Sequence, residues 1–273
     1  CTHSSKDGER FAEVEIIHRG WGWWAHLFLT VLRRLDPLVD TYDDKLTEFC
    51  VDRLQLPTGA KILDVGCGAG DVALRLARQG YKVLGVDISA ELIAYCQSLK
   101  EETKGELAFE LTDMRQPFME NEFHGAICLG VTYGYFLDDE NLAFLASMAR
   151  ALKPGGKLLV ETDNPLDLAP GWVEETASIP GMGYLVMRRR FNVEEGAYEG
   201  EFHLRTLSGE KVVLTRDLHA DWDERIRIYQ AEELEKMASS VGLTVTGLWG
   251  DTSLPLQSYL PQSRRLVLEA VKN

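Results

Sequence analysis

A run of nine residues, Ile62-Leu63-Asp64-Val65-Gly66-Cys67-Gly68-Ala69-Gly70, restricts the fold more than any other part of this chain. Residues of buried-strand character run into three glycines at alternate positions, and a helical pattern follows in which Val72, Ala73, Leu76 and Ala77 share one side before Gly80. A strand that turns sharply into a helix needs backbone freedom at the turn, which glycine supplies. The helix N-terminus then presents unbonded N–H groups to whatever lies above it. The spacing is G-x-G-x-G. A dinucleotide fingerprint would want glycine at 71, where Asp71 instead sets a carboxylate against a pyrophosphate, so a nicotinamide dinucleotide is the weaker reading.

The same rhythm continues along the chain. Lys61 to Val65 reads as a buried strand, the helix after the glycines extends from Asp71 to Gln79, and Lys82 to Asp87 forms the second strand. Ser89 is placed to cap a helix through Leu99, Glu106 to Leu111 forms a third strand, and Phe123 to Gly130 a fourth that is nearly all apolar. Leu142, Leu145, Ala149 and Leu152 follow at helical spacing, and Pro154-Gly155-Gly156 is expected to stop that helix before a fifth strand, Lys157 to Glu161. Strands separated by helices form a parallel sheet covered on both faces. The pattern then changes to turn-punctuated alternation: Tyr184 to Val193, a turn at Glu194-Glu195-Gly196, Ala197 to Leu207, a turn at Ser208-Gly209, and Lys211 to His219. Helical spacing returns at Leu234, Met237, Ala238 and Val241 before Gly242, and Leu243 to Leu248 and Arg265 to Val271 supply the last strands.

The fold class expected is therefore α/β: a doubly wound, mostly parallel, seven-stranded Rossmann-like sheet carrying an inserted antiparallel β-meander. Residues 1–39 are read as an aromatic N-terminal lid, 40–163 and 229–273 as the core, and 164–228 as the inserted substrate-side cap. A chain of 273 residues is long enough for one such domain with an insertion.

Composition narrows the classes of function. Asp plus Glu number 43 against 29 Lys plus Arg, a formal charge of −14 that repels phosphate backbones and argues against a nucleic-acid partner. The longest apolar stretch, Gly20 to Leu32, has 13 residues and includes His26, whereas a membrane-spanning helix needs about 20. The segment CTHSSKDGER has no basic-then-apolar signal pattern. The five cysteines, Cys1, Cys50, Cys67, Cys96 and Cys128, are odd in number and lack C-x-x-C spacing, which disfavours a disulfide framework or a zinc site. A reducing, cytoplasmic setting is expected, with Cys67 and Cys128 as small buried residues.

Asp64, Asp87 and Asp113 fall at the carboxyl ends of three successive strands, the edge at which open α/β sheets bind ligands. Asp87 lies 21 residues after Gly66, where a carboxylate can accept hydrogen bonds from both hydroxyls of a ribose. Three acids around one crevice suit a cationic, donor-rich ligand, and S-adenosylmethionine, with its ammonium, sulfonium, ribose and adenine amine, answers that description.

Residues 40–163 resemble the cofactor domain of the class I S-adenosylmethionine-dependent methyltransferases, through ILDVGCGAG at 62–70, the acid at Asp87 and LKPGGKLLVE at 152–161. The resemblance implies that Asp64 serves the methionine amino group, that Gly66, Gly68 and Gly70 wrap the methionine part, and that Asp87 binds the ribose. It further implies that Ile88 and Met114 lie against the adenine, that Asp113 meets its amine, and that Tyr42 stands near the cofactor carboxylate. S-adenosyl-L-homocysteine would be the product.

The loop after the fourth strand, Cys128 to Phe136, borders the transferable methyl in this family, which brings Leu129 to the cofactor. It has no N-P-P-Y motif for amino methylation and no Pro-Cys pair for cytosine C5 attack, and the chain has no metal-ligand cluster of the catechol type. A small-molecule acceptor, methylated on O, N or C by in-line displacement, is the leading expectation. Methylation of a protein or RNA and a non-catalytic regulatory or scaffold subunit are the alternatives. Candidate catalytic residues are Tyr133 in this loop, His203 in the meander and Asp163 after the fifth strand, each with a bland rival as core aromatic, solvated face or turn cap. Arg188-Arg189-Arg190 and the Arg225/Arg227 pair either bind a substrate carboxylate or solvate strand edges. Trp21, Trp23 and Trp24 suit a lid over cofactor and substrate, a homodimer surface, or a membrane-lying helix, the last disfavoured by the acidic charge.

Overall fold

The computed structural model describes residues 38–99, 105–179, 181–209, 211–214 and 224–273. The tryptophan-rich segment, His219 and Cys1 lie outside them. In chain order the elements are α1 (Leu38–Leu54), β1 (Lys61–Val65), α2 (Asp71–Arg78), β2 (Lys82–Asp87), α3 (Ala90–Ser98), β3 (Leu107–Leu111), β4 (Phe123–Cys128), α4 (Asp138–Ala151) and β5 (Leu152–Asp163). There follow β6 (Val173–Ile179), β7 (Gly183–Asn192), β8 (Ala197–Thr206), β9 (Lys211–Leu214), β10 (Glu224–Arg227), α5 (Ala231–Ser240), β11 (Leu243–Trp249) and β12 (Arg265–Lys272).

The main sheet has seven strands in the order β11-β12-β5-β4-β1-β2-β3. β3, β2, β1, β4 and β5 pair in parallel, whereas β12 runs antiparallel to both β5 and β11. Alternation along each buried strand feeds two cores. Leu63, Val65, Leu158 and Val160 pack with Phe144, Met148 and Leu234 on one face, while Ile62, Ile127, Leu159 and Val267 pack with Phe49, Leu76 and Ile93 on the other. Helices cover both faces, as a doubly wound sheet requires. Chain order reverses between β1 and its two neighbours β2 and β4, so the crevice for a ligand opens above the ends of these strands.

The second sheet is antiparallel. β8 pairs with β7 on one side and with both β10 and β9 on the other, and β6 forms the far edge beside β7. β6 and β10 were not expected from sequence: most of β6 is exposed and lacks apolar alternation, and β10 reads Glu-Arg-Ile-Arg. One boundary is corrected. Helix α4 ends at Ala151, with Leu152 already extended, and β5 begins there and passes through Pro154-Gly155-Gly156. Lys153, as the residue before a proline, resists the helical conformation, so the helix stops earlier than Pro154 itself dictates. The resulting irregularity falls between Phe123 and Gly125 on the neighbouring strand.

The two sheets are joined at the loop after β4. Phe191, Ile226 and Ile228 from the insertion pack against Val131 and Tyr135, and Arg227 N–H donates to Gly134 O at 2.8 Å. Beneath this joint the fully buried Asn141 amide donates to Phe136 O and Tyr229 Oη at 2.8 and 3.0 Å and accepts from Phe136 N–H. Asn141→Leu would remove the amide bonds to Phe136 and Tyr229. It is expected to lower the unfolding free energy by about 1–3 kcal/mol, seen as a lower urea midpoint; an unchanged midpoint would contradict this account of the joint.

Candidate active site

The glycine turn is built by backbone contact. Gly66 and Cys67 N–H groups both donate to Val86 O, at 2.9 and 3.0 Å, which draws the turn across the end of β2. Gly66 has φ +71°, and a Cβ there would run into Thr132 Cγ2 from the loop after β4, so both torsion and space demand glycine. Gly68 also has a positive φ, +57°, but nothing lies within 4 Å of the place its Cβ would occupy. The turn is therefore closed beneath and open above, a cradle for a ligand that touches main chain.

Asp87 closes this cradle. Its Oδ2 accepts from Gly68 N–H at 3.0 Å and its Oδ1 from Ser89 N–H at 2.9 Å, while Ser89 Oγ caps α3 by accepting from Leu92 N–H at 3.3 Å. Burial raises the Asp87 pKa, and the N–H bonds from Ser89, Gly68 and Ile88 oppose that rise. Gly66, Gly68, Asp87, Ile88 and Met114 line one cleft, together with Tyr135 from the loop after β4. Five of the residues assigned from sequence to a cofactor are thus brought together.

The other assigned residues sit around this cleft rather than in its lining. Asp64 is buried at 4% exposure on β1. Burial first, then the charges of Asp87 and Asp43, push its pKa from 3.8 to about 7. Gly70 caps α2 in the left-handed region, pressed on Phe109 and Cys96. Leu129 is buried in the core beside α1 and α2. The Asp113 carboxylate is bound by the Arg115 guanidinium, with contacts from 2.7 to 3.2 Å, which holds its pKa down. Tyr42 falls within α1, and its side chain lies outside the described residues.

A second cavity, of about 390 Å³, lies between the main sheet and the meander and shares Gly130 and Tyr135 with the cleft. Val131, between them, has φ +60°, a conformation that costs a β-branched residue strain and that clusters at functional loops. The backbone is held there by Glu161, fully buried on β5, whose Oε2 accepts from Gly130 N–H at 2.8 Å. Glu161 Oε1 lies 3.4 Å from Arg265 Nε, and Arg265 also pairs with Asp163, its cross-strand neighbour. Sequence reasoning missed Glu161 and Arg265. The available signal was a carboxylate closing the apolar run Leu158 to Val160.

Of the three catalytic candidates, Asp163 reaches this second cavity. Tyr133 is fully buried between Phe144 and Tyr229, its hydroxyl donates to Asn141 O at 2.9 Å, and burial drives its pKa upward. It stands in the core, away from either lining. His203 alternates with Phe202 on β8, and Phe202 is the one that lines the cavity, so His203 is on the opposite face. Burial, then Lys211 and Arg205, lower its pKa. The arginine runs are engaged internally: Arg188 and Arg190 stack on Trp172 at 4.5 and 5.0 Å, Arg225 pairs with Glu195, and Arg227 with Asp138 and Glu233. Arg189 lines the cavity but pairs with Glu175. Among the described residues no cluster of His, Cys, Asp and Glu is arranged to hold a metal ion, and no helix is long and apolar enough to cross a membrane.

Comparison with known proteins places this geometry in a family. Residues 62–156 match the methyltransferase domain model. The chain is 30% identical over 177 residues to the ubiquinone/menaquinone biosynthesis C-methyltransferase UbiE of Cellvibrio japonicus, covering 59% of this chain and 70% of that protein. Its backbone is similar to that of the CcbJ methyltransferase from Streptomyces caelestis, with a TM-score of 0.72 at 18% identity over 85% of this chain and 90% of that one. It is also similar to CalS10, an amino pentose methyltransferase from Micromonospora echinaspora solved with S-adenosylmethionine bound, with a TM-score of 0.60 at 19% identity over 86% and 90% of the two chains. These two likenesses speak for the fold. The chain belongs to the class I S-adenosylmethionine-dependent methyltransferases.

Asp64 yields a prediction for the ligand-free protein. A carboxyl group raised to about 7 in the folded state, against 3.8 when unfolded, favours folding below the unfolded value and loses that contribution as pH climbs through 7. Stability should therefore fall between about pH 4 and 7 on account of this group. Asp64→Asn is expected to flatten that segment of a melting-temperature profile; an unaltered slope would contradict it.

Proposed function

We propose that this methyltransferase acts on a small molecule bound between the cofactor cleft and the meander, delivering the methyl to an oxygen, nitrogen or carbon of that acceptor. The observation that carries the reading is the wall shared by the two cavities, Gly130 and Tyr135. A ligand in the first meets a ligand in the second at that wall. UbiE, named for quinone biosynthesis, supports a small-molecule acceptor, as does the enclosure of the second cavity by the insertion.

The residues divide the work by chemistry. Asp87 has acceptor capacity left beside its bonds from Gly68 and Ser89 and would hold the ribose hydroxyls. Gly68 leaves room for the methionine portion, and Ile88 and Met114 form the adenine walls. The Asp64 side chain makes no hydrogen bond among the described residues, and burial raises its pKa to about 7, so a cationic ligand above the turn would favour its ionised form. When bound, S-adenosylmethionine supplies a methyl group on a leaving group that is already activated. The protein then needs to position the acceptor about 3 Å from that carbon and exclude water. Glu161, by fixing Gly130, and the strained Val131 define the gap through which the acceptor approaches.

Asp87→Ala is expected to weaken S-adenosylmethionine binding by at least about tenfold, measured by titration calorimetry; unchanged affinity would remove the ribose assignment. Formation of S-adenosylhomocysteine across a metabolite panel tests the reaction itself. Turnover on small molecules is expected, and none on any of them despite tight cofactor binding would overturn the small-molecule reading.

A further inference from the structure

The charged groups that line the second cavity do not all cancel. Asp163 is paired with Arg265, which also faces Glu161, and Arg189 is paired with Glu175 and lies over Tyr198 at 5.6 Å. Asp167 and Arg264 line the same cavity, and neither side chain has a hydrogen-bond or ion-pair partner among the described residues. One cavity thus carries an acid and a base that do not pair with each other.

Asn164 ties together the loops that carry them. It is fully buried, and all the bonding capacity of its amide is used. Nδ2 donates to Pro261 O at 2.9 Å and Ser263 O at 2.6 Å, while Oδ1 accepts from Leu166 N–H at 3.1 Å and Tyr259 Oη at 2.9 Å. Its main chain continues the connection, with Asn164 O accepting from Asp167 N–H at 3.0 Å and Asn164 N–H donating to Arg264 O at 3.5 Å. One side chain thus locks the loop that carries Asp167 to the loop that carries Arg264. The lining also has apolar and aromatic members, Leu185, Phe202 and Ile226 among them.

We propose, resting on the small-molecule reading above, that the acceptor is amphoteric: an apolar or ring body carrying both an acidic group, bound by Arg264, and an amine, bound by Asp167. Both side chains are exposed at the cavity, and a molecule bearing both groups can engage the two of them at once. The guanidinium offers a planar fork that matches a carboxylate, and Asn164 is the positioning residue that holds the spacing between the two charges.

The test measures S-adenosylhomocysteine formation on matched sets of compounds: amino acids and aminobenzoic acids, the same molecules with the acid amidated, and the same acids without the amine. The native enzyme is expected to prefer the amphoteric member by at least about tenfold in kcat/KM. Arg264→Gln should abolish the preference over the amidated compound by slowing only the acid-bearing one, Arg264→Lys should retain part of it, and Asp167→Asn should abolish the preference over the compound without the amine. Equal loss on every member of a set, or fastest turnover on neutral or singly charged compounds, would overturn the charge assignment and leave the small-molecule reading standing. No turnover on these sets or on a general metabolite panel, with S-adenosylmethionine still bound by calorimetry, would overturn both.

Discussion

Two carboxylates held out of water at the ends of adjacent parallel strands, Asp64 and Asp87, are the constraint on which the site depends. Burying one charge is costly and burying two of the same sign more so. The fold meets this in two ways. Asp87 receives N–H bonds from Gly68 and Ser89, which offset part of its burial, while Asp64 is raised to about 7, so that much of its charge is withdrawn near neutrality. A donor-rich cationic cofactor completes the arrangement. The glycine turn serves this: with Gly66 and Gly68 at positive φ, the Gly68 N–H, main chain rather than a side chain, reaches the Asp87 carboxylate.

The insertion is subordinate to the same edge. Its apolar cluster rests on Val131 and Tyr135, the loop that also borders the cofactor cleft. Buried polar groups then secure the contact, Asn141 beneath the loop and Glu161 reaching it from β5. Fully satisfied buried amides and carboxylates specify one arrangement of neighbouring segments, since any shift would leave a dry donor or acceptor. The second cavity is the space these contacts leave between the edge of the main sheet and the second sheet.

Much of the core was legible because its signals are local. β1 and β2 have the limits that alternation and glycines imply, Ser89 does cap α3, and the hairpin turn at 194–196 separates β7 from β8. Of the cleft residues, Gly66, Gly68 and Asp87 follow from one motif and strand spacing, because a parallel sheet carries successive strand ends to a common edge, and Ile88 and Met114 from the resemblance to the family. Other residues were not legible. Tyr133 has the composition of a site residue, yet its neighbours Phe144 and Tyr229 lie far along the chain and enclose it. Strand parity puts Phe202 rather than His203 toward the cavity. β6 escapes periodicity because an exposed edge strand need not alternate.

By itself, then, the sequence determined the doubly wound sheet, the inserted meander and the cofactor edge, since hydrophobic period, turn glycines and the positions of three aspartates act over a few residues at a time. Only the tertiary structure decided that Asp163 is occupied by Arg265 and that Asn164 joins the loops bearing Asp167 and Arg264. Pairing between charges and saturation of a buried amide depend on partners such as positions 164 and 263, about a hundred residues apart. No local pattern encodes that distance, and only the folded sheet closes it.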